Sequence, residues 1–102
     1  MLVQLTMFPT DRQGASVSAH VAKVIDIIDK SGLSYKLTAM ATIIEGEWDE
    51  IMYVVNKARK ELGRHHKRIY ISMTIDDRQG ATSRLDGKIK AIEEKLNREV
   101  KK

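Results

Sequence analysis

Val3, Leu5 and Met7 alternate with Gln4, Thr6 and Phe8, the period of a strand that buries one face. Pro9 has no N–H to offer a neighbouring strand and is predicted to stop it. Val21, Val24, Ile25 and Ile28 then recur at helical spacing, with Ser16 or Ser18 as the N-terminal cap and Gly32 as the stop. Leu33 to Thr38 and Ala41 to Glu45 read as two short strands, joined tightly enough for a hairpin. Gly46 punctuates, and Glu47, Asp49 and Glu50 set acids in the first turn of a second helix, where free backbone N–H groups favour negative charge. Its buried stripe is Ile51, Val54, Val55, Ala58 and Leu62, closed by Gly63. Ile69, Ile71, Met73 and Ile75 alternate with Tyr70, Ser72, Thr74 and Asp76 in the clearest strand of the chain. A last helix carries Leu85, Ile89, Ile92, Leu96 and Val100 on one side.

Strand, helix, strand, strand, helix, strand, helix is the order of an α+β, ferredoxin-like βαββαβ antiparallel sheet with an additional C-terminal helix. Right-handed connections place the first and third strands in the centre, within one domain over residues 1–102. Two helices cover one face. The other is expected to carry Gln4, Thr6 and Phe8, then Thr42 and Ile44, then Tyr70, Ser72, Thr74 and Asp76. So few charges predict burial against another copy, with a solvated threonine-rich sheet as the alternative.

Composition narrows the classes. Hydrophobic residues are 42% and charged ones 31%, which is globular rather than disordered. No apolar run reaches the about 20 residues of a membrane span, and MLVQLTMF lacks the basic lead of a secretion signal, so a cytoplasmic protein without a membrane partner is expected. The absence of cysteine excludes disulfides and thiolate metal sites. The net charge of +4 sits in one run, Lys57 to Arg68, whose six cations and one acid leave the rest of the chain at −1. Cations there complement a helix C-terminus, and nucleic acid is not the expected partner.

Candidate chemistry is sparse. No nucleophile–base pair is visible, so no catalysis is expected, and no glycine pattern forms a phosphate loop, so no cofactor is expected. His65 and His66 are adjacent and point apart, and His20 is distant in sequence. DRQGA occurs twice, from Asp11 and from Asp77, each time after a strand. The topology sends the two copies to opposite ends of the sheet, which favours a shared turn over a single site. Trp48 is either a ring for stacking a heterocycle or an apolar anchor, and Glu45 is either a helix-dipole partner or an acceptor for a ligand amine.

Met40 to Met52, with Met40-Ala41-Thr42-Ile43-Ile44-Glu45-Gly46 at its head, resembles the M-G-T-x-x-E-G signature and acidic helix start of a family of small thiamine-binding domains. Ser31-Gly32-Leu33-Ser34-Tyr35 and Ile75-Asp76-Asp77-Arg78 support it, and Ala41 departs from the usual glycine. The resemblance implies a ferredoxin-like subunit that forms dimers and tetramers through its sheets. It also implies binding of thiamine or its hydroxymethylpyrimidine part, as carrier or sensor, without established catalysis. Carried over residue by residue, Thr42 becomes a hydroxyl near the ligand, Glu45 an acceptor for the pyrimidine amine and Asp76 a partner for positive charge. Met40 and Trp48 become apolar walls. A ligand-free structural or regulatory oligomer is the alternative.

Overall fold

The computed structural model describes residues 1–11, 18–80 and 84–102. Its elements are β1 (Leu2–Pro9), α1 (Ser18–Lys30), β2 (Ser34–Leu37), β3 (Thr42–Glu45), α2 (Trp48–Gly63), β4 (Ile69–Asp76) and α3 (Arg84–Leu96). The sheet order is β2-β3-β1-β4 with every pair antiparallel, so the first and third strands are central, as the connections required. Pro9 is the last residue of β1 rather than its stop, and it pairs with Ile69. The Ser16 cap lies outside the described residues. Gly32 ends α1 with φ +81, a backbone geometry that a side chain would strain.

Register decides which side chains share a face. Val3 faces Ile44 and Leu5 faces Thr42, so Thr42 and Ile44 point with the core residues of β1. The expectation that they lie on the open face is corrected: Ile44 is wholly buried and Thr42 is 5% exposed. Side chains on a strand alternate, so a one-residue error in phasing this four-residue strand transfers all of them. The open face of β3 carries Ile43 and Glu45 instead, beside Gln4 and Leu2. Val24 and Ile28 of α1, with the whole predicted stripe of α2, close the core against Val3, Leu5, Met7 and Ile44.

The open face is not free of helices either. α3 lies on its β2–β3 part, held by charges. Glu45 accepts the backbone N–H of Arg84 at 2.6 Å and that of Leu85 at 3.4 Å, satisfying the first donors of the helix. The Arg84 guanidinium is buried and donates to the carboxylate and carbonyl oxygen of Asp76. Lys88 reaches the same carboxylate at 3.0 Å, and Lys36 pairs with Asp86. The helix stops at Leu96 because Asn97 turns left-handed (φ 55), so the expected extension to Val100 is corrected. The Val100 N–H instead folds back to donate to the Glu93 carboxylate at 2.9 Å.

Two outcomes follow from this packing. Ile44→Ala should lower stability by about 2–5 kcal/mol in urea unfolding, the cost of a core cavity; a loss near zero would return Ile44 to the open face. Asp76 is held below its usual value of 3.8, first by the Lys88 hydrogen bond and then by that of Arg84. Because the folded value is the lower one, its contribution is complete above the usual aspartate range and is lost as pH falls through the depressed value. Asp76→Asn should therefore flatten the fall in stability between about pH 5 and pH 2, and an unchanged slope would contradict the clasp.

Candidate functional site

β1 is twice as long as β3. Their ladder ends at Leu5 and Thr42, while β1 continues through Thr6, Met7 and Phe8 beside β4 alone. That mismatch opens a notch at one end of the sheet. The β2–β3 loop bends across it, organised by one hydroxyl. Thr38 Oγ1 donates to the Ala41 carbonyl at 2.7 Å and accepts the N–H groups of Met40 at 3.3 Å and Ala41 at 3.1 Å. Thr6 Oγ1 ties the loop to β1 by donating to the Met40 carbonyl at 3.5 Å. Val21, Val24 and Ile25 of α1 form the facing wall, and the half-open cavity measures about 370 Å³.

Every side chain lining this cavity is uncharged, and the polar ones are Thr6, Thr38 and Thr42. Thr42 differs from the other two. It is buried, yet its hydroxyl has no side-chain hydrogen bond among the described residues, whereas those of Thr6 and Thr38 are committed to the loop. An uncommitted hydroxyl on a cavity wall is a ready donor and acceptor for whatever enters. Met40 stands at the rim, 86% exposed.

The sequence-derived site residues are therefore divided. Thr42 and Met40 meet at the cavity. Glu45 and Asp76 converge at the opposite end of the strands, on the open face, where both hold the start of α3. Trp48 is the first residue of α2 and half exposed, so it anchors no core in this chain, and it does not line the cavity. Sequence reading set Thr6 on the open face and missed Thr38, although a Thr four residues before the start of a hairpin's second strand is a turn signal. It also missed Arg84, for which nothing in the pattern distinguishes a buried guanidinium from the solvated arginines.

The leading aspartates of the two DRQGA stretches differ in their partners. Asp11 accepts the Lys67 N–H at 2.7 Å and meets His66 Nδ1 at 3.1 Å, tying the exit of β1 to the entry of β4. The Lys67 hydrogen bond, ahead of that of His66, keeps the Asp11 carboxyl below its usual range. Asp77 has no side-chain partner among the described residues, and Gly80 there takes φ +76. Residues 12–15 and Ala81 lie outside the described residues. His20, distant from His66 in sequence, stacks edge-on against it with ring centres 4.8 Å apart. Among the described residues no three acids or histidines gather as a metal site, and no helix is long and apolar enough to cross a membrane.

The comparisons with known proteins agree with this architecture. The UPF0045 protein MJ1052 of Methanocaldococcus jannaschii is 32% identical over 94 residues, covering 92% of this chain and 93% of its own length. Its crystal structure matches with a TM-score of 0.81 over 91% of this chain and 95% of that one. The UPF0045 protein YqgV of Bacillus subtilis is 31% identical over 102 residues, covering 93% and 96% of the two chains. A Thermotoga maritima protein, described as a candidate for thiamine biosynthesis or salvage, matches with a TM-score of 0.77 at 24% identity, covering 89% and 96%, and bears on the fold alone. The family model described as "Thiamine-binding protein" matches residues 3–93, the span that contains all of the sheet but Leu2, the hairpin notch and most of α3, and the chain belongs to that family.

Proposed function

We propose that this chain is a small-molecule binding protein for thiamine or a related hydroxymethylpyrimidine, acting as a carrier or sensor without catalysis. The observation that carries the reading is the uncommitted hydroxyl of buried Thr42 on the wall of an uncharged cavity of about 370 Å³. That volume falls in the range of about 300–1,000 Å³ typical of sites for small organic ligands. Family membership supports the ligand class.

The lining selects which part of thiamine enters. A neutral aminopyrimidine is flat, apolar on its faces and rich in donors and acceptors on its edge, which suits threonine hydroxyls between Met7, Val24 and Ile25. The cationic thiazolium finds no acid in the lining, because Glu45 and Asp76 are engaged by α3. It is left pointing past Met40 towards solvent. Homodimers or homotetramers formed through the sheet belong to the same proposal, supported by the uncharged part of the open face that α3 leaves, where Thr6 and Phe8 lie beside Ser72 and Tyr70.

Calorimetric titration with thiamine and with hydroxymethylpyrimidine tests this directly. Both should bind, with affinities within about tenfold of one another, a difference of roughly 1.4 kcal/mol. Thr42→Val keeps the shape and removes the hydroxyl, so it should weaken both by about 1 kcal/mol or more. No heat from either ligand at high micromolar concentration would refute the reading, and tight binding confined to thiamine would refute the assignment of the pyrimidine to the cavity.

A further inference from the structure

The basic run from Lys57 to Arg68 is not spread evenly over the surface. Arg59 and Lys60 stand in the last two turns of α2, and His66 and Lys67 in the short connection to β4. The chain turns between them, and all four side chains line one open hollow of about 430 Å³, beside Ile69 and Ile71. No acid lines it among the described residues. The one carboxylate within the run, Glu61, is taken by Arg64 at 3.3 Å. Three cations and an imidazole around one hollow repel one another, and an anion placed between them reverses that cost.

The hollow is also held in shape. Asn56 Oδ1 accepts from Arg59 Nε at 3.3 Å and from Nη2 at 2.8 Å, which fixes the plane of the guanidinium. One carboxylate positions the opposite side: Asp11 accepts the Lys67 N–H and takes Nδ1 of His66. The His66 side chain is only 16% exposed, and with Nδ1 engaged its remaining ring nitrogen is Nε2. Lys60 and Lys67 have no side-chain partner among the described residues, so their ammonium groups are uncommitted.

We propose that this hollow is a second binding site, for the phosphate group of a small molecule, independent of what fills the uncharged cavity. A phosphate offers several acceptor oxygens at once, which suits a fixed guanidinium, two free ammonium groups and an imidazole drawn from two sides. Ile69 and Ile71 give the carbon part of an ester an apolar surface. A nucleic acid fits less well. Tyr70 alternates with Ile69 and Ile71 along β4, so the Phe8–Tyr70 ring pair that could stack bases lies on the other face of the sheet.

Calorimetry in a low-salt chloride buffer, with millimolar inorganic phosphate and with glycerol 2-phosphate, tests the site. Binding of one per chain supports it, and the tighter of the two tells a free phosphate from an ester. Lys60→Gln/Lys67→Gln should weaken binding by about tenfold or more. Lys23→Gln/Lys57→Gln removes the same charge outside the hollow and should stay within about twofold of the unaltered chain. Asp11→Ala separates a built site from diffuse attraction. It makes the chain more positive, yet frees His66 and Lys67 from their support, so binding should weaken. The lysine variants change exposed side chains alone, so their comparison stands even where Asp11→Ala fails to fold. No heat from either probe, equal losses from the two lysine pairs, or tighter binding by folded Asp11→Ala overturns the proposal. A twelve-nucleotide oligothymidylate that binds more tightly than both probes, and is released by salt, overturns it in favour of a nucleic-acid surface.

Discussion

The eight-residue β1 pairs along its whole length with β4 but with β3 only as far as Leu5 and Thr42, and this inequality shapes the molecule. A strand that outruns its neighbour leaves a gap in the sheet, and something must fold over it. The β2–β3 loop does so because Thr38 satisfies two of its N–H groups at once, which fixes a turn that runs Ala39-Met40-Ala41 without glycine. α1 then closes the notch with aliphatic side chains. Burial of Val3, Leu5 and Met7 fixes the register, since a slip by one residue would drive polar side chains into the core. The cavity is thus a consequence of strand length and register, with the Thr38 hydroxyl fixing the loop that covers it.

The two ends of the sheet divide the chemistry. At the hairpin end the walls are uncharged and one threonine hydroxyl is uncommitted. At the other end, two carboxylates and two cations clasp α3, with Arg84 buried among them. A buried guanidinium is costly when it loses its partner, so the clasp holds the helix at a fixed place on the sheet. The acids that would otherwise compete for a cationic ligand are consumed in this way.

Much of this was legible in the chain. The long alternations of β1 and β4 and the stripe of α2 gave element types, order and core, because each spans enough periods to fix its own phase. β3 did not. Four residues, three of them β-branched, carry no polar alternation, so only the partner strand tells which side faces inward. The pairing of Thr42 with Met40 at one site was readable from the motif, while the engagement of Glu45 by α3 was not, since it depends on a backbone donor nearly forty residues downstream. The two aspartates that open the DRQGA stretches show the same limit: Asp11 has the β4 entry beside it and bonds there, and Asp77 does not.

Methyl-resolved nuclear magnetic resonance during titration with hydroxymethylpyrimidine tests the central claim, that the ligand site is the notch beyond the end of β3. The account predicts that the methyl signals of Val21, Val24, Ile25, Met40 and Thr42 move together as the ligand is added. Shifts centred on Ile43, Leu85 and Ile89, with those of Val24 and Thr42 unmoved, would contradict it and place binding at the α3 clasp instead.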